Sequence, residues 1–359
     1  MSMLIGIDTD RPAVPEGAGS VPFALFMEKA LYGEKGYYRT LTSQRDYRTS
    51  SHVSPAFGHC LASLLVDLWG TIRDRTQFDI VELGAGDLVL AHQVVAWLRH
   101  HRPTMLGRGG YRAVDLALRG DAAFDEIASV VADVRRIPFR EIVGAILSNE
   151  LFDALPFHRV GRDGSDLYEL HVDACGSVAR YVRRPLPVAL SRFLESIGVA
   201  LLDGQIADIC PDAEDAYRGA CEALKRGFLV TIDYGGRTPD LYGPRRLEGT
   251  ALAYRSHTVH ADLLAEPGRQ DITAHVDFDR LEAVGAEAGL ITLYRGRQSD
   301  LLRGRVREWL NRLEPSRLTP ADLFNARHGA SELIAPAGLG RMCVLIQTRG
   351  IESPPDVLV

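Results

Sequence analysis

A short glycine run beside strand-end carboxylates carries the first chemical signal. Glu82-Leu83-Gly84-Ala85-Gly86-Asp87 follows an apolar stretch, Asp115 closes a second such stretch, and Asp133 a third. Glycines there let the backbone turn tightly and approach a ligand, and a helix behind them presents free N–H groups. A carboxylate at Asp115 suits both hydroxyls of a ribose. Asp133 is read as an acceptor for an adenine amino group, and equally as a turn cap. The run does not fit a phosphate loop, because no Gly-Lys-Ser/Thr follows it. Nor does it fit a dinucleotide fingerprint, since Leu88 stands where a further glycine belongs. A glycine turn with strand-end carboxylates and no phosphate-binding features suits S-adenosylmethionine better than a nicotinamide dinucleotide.

The elements that must hold these groups show in the apolar texture. Residues 78–83 read as a buried strand, followed by a helix over 89–98. Further strands are expected over 111–116, 130–133, 143–148 and 227–232, the last after an amphipathic helix at 213–225. Residues 291–294 and 343–347 add strands, with helices at 299–312 and 319–329 between them. Strands alternating with helices indicate a parallel sheet covered on both faces. Phe23, Phe26, Met27, Ala30 and Leu31 recur at helical spacing, and 57–69 is a second helical stretch. Alternation within 157–185 suggests a hairpin, and the long Gly/Pro-punctuated stretch 236–278 a lid. The expected organisation is a tail at 1–20 and a helical cap at 21–75. The core takes 76–156, 226–235 and 286–350, and insertions at 157–225 and 236–285 form a substrate-binding lid.

Composition bounds the function. The chain has 359 residues, 46% hydrophobic and 25% charged, which excludes a disordered chain or a fibre. A net charge of −6 offers no global field for nucleic acid. No apolar run reaches the roughly 18–20 residues of a membrane span, and the first residues lack the features of a secretory signal. The five cysteines are scattered with no CxxC pair, so neither a disulfide framework nor a zinc site is expected, and a cytoplasmic location is. Asp271, His275 and Asp277 have i, i+4 spacing, but Ile272-Thr273 and Val276 favour an extended segment, so no metal is expected.

The segment Ser148-Asn149-Glu150-Leu151-Phe152-Asp153-Ala154-Leu155-Pro156 resembles the fourth-strand motif of the MidA-like S-adenosylmethionine-dependent methyltransferases. Four more segments are similar in the same order: Phe26 to Tyr38, Asp46 to Gly58, Ile232-Asp233-Tyr234-Gly235, and Gly268 to Phe278. The resemblance implies an α/β fold, a Rossmann-like seven-strand class I methyltransferase core. N-terminal helices and inserted helical and hairpin segments would roof the acceptor pocket. It implies S-adenosyl-L-methionine as cofactor and S-adenosyl-L-homocysteine as product. The expected cofactor residues are Glu82, Gly84, Ala85, Gly86, Asp115, Leu116, Asp133, Asn149 and Glu150. The expected substrate residues are Tyr38, Ser50, Phe152, Tyr234 and His275.

Three departures bear on the acceptor. Leu88 replaces a glycine and would crowd the methionine end. His52 replaces a loop carboxylate, and Gly249-Thr250-Ala251-Leu252 lacks the family's arginine. Methyl transfer from a sulfonium is an in-line displacement that needs mostly positioning. An arginine acceptor needs carboxylates in a fork geometry, whereas a histidine suits a hydroxyl as general base. The expectation is therefore a small-molecule acceptor, through oxygen, with His52 or Asp153 as base. The alternatives are a protein arginine methyltransferase, as the family's characterised member suggests, and a non-catalytic assembly protein, which Leu88 motivates. A homodimer paired through the N-terminal helices is a further expectation.

Overall fold

The computed structural model describes residues 19–40, 49–72, 78–107, 110–173, 179–256 and 258–351. Most of the expected tail, Asp46, Tyr47 and Arg48 of the N-terminal loop, Gly109 and Cys175 lie outside the described residues. The central sheet has seven strands: β1 (Asp79–Leu83), β2 (Tyr111–Asp115), β3 (Ile127–Val131), β4 (Ile142–Asn149), β5 (Leu224–Asp233), β6 (Ile291–Arg297) and β7 (Cys343–Arg349). Their order is β6-β7-β5-β4-β1-β2-β3. All neighbours are parallel except β7, which runs antiparallel to both β5 and β6. The chain leaves β1 toward β2 and β3, then returns to β4 on the other side of β1. This reversal opens a crevice at the carboxyl ends of β1 and β4, where such sheets bind ligands.

Eight helices of eight or more residues surround the sheet or the insertions: α1 (Phe23–Tyr32), α2 (Ala56–Gly70), α3 (Val89–His101), α4 (Val188–Ser196), α5 (Pro211–Ala223), α6 (Phe278–Glu287), α7 (Gln298–Arg312) and α8 (Pro320–Glu332). Strand side chains alternate between two apolar layers, as a period of two demands. Ile80, Ala145, Val230 and Ile346 pack against α2, α3, α7 and α8 through Leu61, Leu64, Val94, Leu302 and Leu333. Their neighbours Val81, Ile146, Leu229 and Leu345 face α5 and α6 through Tyr217, Ala220, Leu281 and Val284.

Two segments differ from expectation. The third strand is Ile127–Val131, not 130–133. Asp133 instead accepts the Arg135 N–H at 2.9 Å and opens a short 3-10 turn, Val134–Arg136, which takes it off the strand. The expected insertions both end in helices that belong to the core: α5 packs on β5, and α6 runs through position 285 to lie against β6 and β7.

The first insertion contains the expected hairpin. His158–Asp163 pairs with Asp166–Asp173, Val160 opposite Glu169. Arg180–Pro185, Ile206–Ile209 and Val21–Pro22 complete a five-stranded sheet, so the residues that open α1 are tied to this insertion. In the second, Leu252–Arg255, Thr258–His260 and Asp271–Thr273 form a small antiparallel sheet. Gly235–Gly236 pairs with Val276–Asp277 just beyond β5. Among the described residues no helix is long and apolar enough to cross a membrane.

Candidate functional site

The glycine run turns the chain from β1 into α3. Gly84 has φ +77° and Gly86 φ +53°. A Cβ at Gly84 would sit 2.9 Å from a Leu151 methyl, so side chains are excluded there by space as well as by φ. Leu88 also adopts the left-handed conformation, φ +67°, at the N-cap of α3. Its side chain is fully buried in the layer under α2 and α3. Leu88 therefore does not crowd the ligand: it supplies the backbone turn of a glycine and spends its side chain on the core.

In front of the turn lies a cavity open to solvent on one side. Of the expected cofactor residues, Glu82, Gly84, Ala85, Gly86, Asp115, Asn149 and Glu150 line it. Asp115 is held at its mouth: Gly86 N–H donates to Oδ2 at 2.9 Å and Ala117 N–H to Oδ1 at 2.7 Å. Asn149 Oδ1 and Arg119 Nε are buried without a hydrogen-bond partner among the described residues, and both residues line the cavity. Buried polar atoms in that state are costly unless a ligand satisfies them. The acidic rim, the tight turn and the two orphaned groups fit a nucleoside-bearing ligand with a cationic end. Glu82, at the foot of the cavity, accepts the Tyr111 hydroxyl at 2.7 Å, and burial pushes its carboxyl up to about 8.

Two expected cofactor residues stand elsewhere. Leu116 is not among the residues lining the cavity. The Asp133 carboxylate is engaged by Arg135, which also reaches Glu28 at 3.0 Å and Asp212 at 2.8 Å. Although burial opposes it, that guanidinium holds Asp133 below the usual carboxylate range. The residue is a turn cap and a node of an ion-pair network, the second of its two readings.

The other side of the crevice is built from carboxyl groups. Glu150 follows β4 with φ +51°, a strained conformation for a non-glycine residue and one that clusters at functional sites. Its Oε1 accepts Ser50 N–H at 2.9 Å and the Asn149 amide at 3.1 Å. Asp233, at the end of β5, is fully buried. Its carboxylate accepts the N–H groups of Leu151, Phe152 and Tyr234 at 3.1, 2.8 and 2.8 Å. Burial nonetheless pushes it up to about 7 against those bonds. Asp153 is raised well above the ordinary carboxyl range by burial, then by the charges of Asp233, Glu150 and Asp271. Asp271 is buried too and accepts the Tyr38 hydroxyl at 2.7 Å. Ala274 N–H donates to the Asp153 carbonyl at 3.0 Å, which ties the second insertion to this cluster. The phenols of Tyr234 and Tyr254 are raised by burial and by the same carboxyls.

Tyr38 and Glu150 thus face the cavity, while Asp153 lines a second, smaller one. Ser50 serves through its backbone, and its hydroxyl points at Met342 Sδ, 3.7 Å away. Phe152 is turned from the crevice onto Tyr217, ring centroids 5.9 Å apart, and belongs to the core under α5. His275 lines that second cavity together with Asp153, and also a further cleft with Tyr234. His52 sits beside the glycine turn. Its Nε2 is 2.9 Å from Asp87 and its Nδ1 2.5 Å from Thr49. Sequence reasoning missed Asp233 and Asp271, although both lie in segments singled out for their resemblance. Attention there went to Tyr234 and His275.

A family model described as "Putative S-adenosyl-L-methionine-dependent methyltransferase" matches residues 60–295. The chain is similar to the human mitochondrial protein arginine methyltransferase NDUFAF7, 24% identical over 309 residues, covering 74% of this chain and 66% of that one. The NDUFAF7 homolog of Drosophila melanogaster is 25% identical over 311 residues, covering 76% and 68%. The chain thus spans about two thirds of the length of the curated relatives it matches. Among solved structures, a "likely methyl transferase" from Burkholderia thailandensis bound to S-adenosyl-homocysteine superposes with a TM-score of 0.81 at 24% identity, covering 94% of this chain and 90% of that one. A native structure from the same organism gives 0.81 at 25% identity, covering 95% and 90%.

Proposed function

The chain belongs to the MidA-like family of S-adenosyl-L-methionine-dependent methyltransferases, and on that premise we propose that its acceptor is the guanidinium of a protein arginine. The observation that carries this reading is the carboxyl cluster at the ends of β4 and β5: Glu150 in the crevice, with Asp153, Asp233 and Asp271 behind it. A cluster of carboxyl groups, with Glu150 facing the cavity, favours a cation, and a guanidinium offers five donors in a planar fork that carboxylates match. The relatives' name, protein arginine methyltransferase, supports the same acceptor. An oxygen acceptor with His52 as base has less support: His52 lines the cavity, but its two ring nitrogens are engaged by Thr49 and Asp87.

The cofactor, when bound, supplies a methyl group on a sulfonium that leaves as a neutral thioether. The protein's part is to place a nitrogen lone pair in line with it. Glu150, held by Ser50 N–H and the Asn149 amide, orients the guanidinium. Tyr38, fixed by Asp271, forms the facing wall. As the N–C bond forms, the nitrogen gives up one proton, and the cluster receives it. Glu150, the carboxyl of the cluster that lines the cavity, is placed to take that proton.

The test is acid hydrolysis of protein methylated with tritiated S-adenosyl-L-methionine. Label in methylated arginines is expected, with kcat falling by roughly 100-fold or more in Glu150→Gln, the lower range for loss of a positioned acid–base group. Label that appears only in small hydroxy or carboxy compounds would overturn the reading.

A further inference from the structure

Tyr234 also lines a further cleft, open to solvent. It is lined by Arg246, Arg297, Arg341, His275 and Ser299. Arg341 lies over the Tyr234 ring, 5.7 Å from guanidinium carbon to centroid. Arg297 is fixed by bonds from Nη1 to the Arg341 carbonyl at 2.6 Å and Cys343 Sγ at 3.2 Å. Ser299 is buried in the first turn of the 15-residue helix α7, whose free N–H groups add a positive end. Among the described residues no carboxylate pairs with any of the three guanidiniums. Burial, then the charges of Arg246 and Arg341, push the His275 imidazole down to about 4, with Asp208 opposing them.

One tyrosine therefore separates two fields of opposite sign. Glu150 and Asp153 act on its hydroxyl from one side, and Arg341 covers its ring. The chain as a whole carries −6, so a basic cleft here is a local arrangement rather than a reflection of composition. The geometry points to this cleft as the seat of carboxylate side chains that flank the methylated arginine in the protein substrate. This rests on the reading of the acceptor as a protein arginine. An arginine flanked by acidic residues then matches both fields. An arginine among other basic residues is rejected, since like charges juxtaposed at an interface are costly.

The test uses the full chain with S-adenosyl-L-homocysteine and two fluorescent peptides. Each carries a single arginine, flanked by glutamates in one and by glutamines in the other. Anisotropy is expected to show the glutamate peptide bound about 10-fold more tightly, a difference that shrinks with salt. Arg246→Gln with Arg341→Gln is expected to remove that difference and leave S-adenosyl-L-homocysteine binding intact. Arg246→Gln alone, at an exposed side chain, gives a smaller loss without risk to the fold. Equal affinity for both peptides, or a preference that survives the double substitution, would overturn the proposal. So would inorganic phosphate binding as tightly as the glutamate peptide, which would make the cleft a small-anion site. The two readings fail separately. A glutamate preference in binding without arginine methylation counts against the acceptor alone. Methylation of both peptides with equal KM counts against this cleft alone.

Discussion

Leu88 illustrates how one position can serve backbone and core by different means. A left-handed conformation costs a non-glycine residue about 1–2 kcal/mol, and the buried side chain repays it. Leu88→Gly removes the strain but leaves a hole in a layer where Leu→Ala changes cost about 2–5 kcal/mol. The expected net is a loss of about 1–3 kcal/mol in denaturant unfolding, with S-adenosyl-L-homocysteine affinity unchanged. A large fall in that affinity would mean that Leu88 shapes the cavity after all. Glu82 makes a second prediction. Its folded-state pKa is raised from 4.5 to about 8 by burial. Its contribution to stability is therefore complete below about 4.5 and is lost as pH rises through 8. A cationic ligand above it favours the carboxylate, so binding releases a proton. Affinity for S-adenosyl-L-methionine is expected to rise from pH 6 to 8 and level off above that. Calorimetry across that range checks it, and Glu82→Gln should flatten the dependence.

The segment joining β4 to the 3-10 turn Phe152–Ala154 depends on a strand distant in sequence. Asp233 accepts three N–H groups, two of them from Leu151 and Phe152, which places Glu150 and Asp153 on either side of the wall. Asp233→Ala orphans those buried donors, each costing about 1–3 kcal/mol. The expected result is a melting temperature lowered by many degrees. Asp233→Asn keeps one acceptor oxygen and should fold while losing activity through misplaced Glu150, seen as a kcat effect at unchanged cofactor affinity. This dependence also shows what was legible beforehand. The glycine turn, Asp115, the buried strands and the hairpin at 158–173 follow from local patterns of two, 3.6 and turn chemistry. The acidic cluster does not, because it is assembled by partners such as Asp271 and Tyr38, 233 positions apart. No periodicity reports that. The third strand was misplaced for a related reason: the apolar residues 130–132 extend the pattern, but Asp133 and Arg135 terminate it through side-chain bonds. Resemblance to a family named the segments containing Asp233 and Asp271, and only the fold showed which side chains meet.

One guanidinium ties helix α1 of the N-terminal cap to two parts of the core, beside the bonds of Tyr32, Tyr38 and Ser50. Arg135 bonds Glu28 on α1, Asp133 at the edge of the sheet and Asp212 on α5, so the cap is fastened to two parts of the core at once. Helix α1 in turn ends at Tyr32, whose hydroxyl donates to the Ala154 carbonyl at 2.9 Å, and leads to Tyr38 at the crevice. The cap thus closes over the crevice: Tyr32, Tyr38, Thr49, Ser51 and His52 line the same cavity as the ends of β1, β2 and β4. Arg135→Ala leaves three carboxylates to repel one another at half-exposed positions, a cost of about 1–3 kcal/mol. That loss should fall mainly on the cap. Hydrogen exchange is expected to quicken over 23–32 while β4 and β5 keep their protection. KM for the acceptor and the dissociation constant of S-adenosyl-L-homocysteine should therefore both rise. If the dissociation constant held while KM rose, the cap would serve the acceptor alone, and its place in the wall of the cofactor cavity would carry no binding energy.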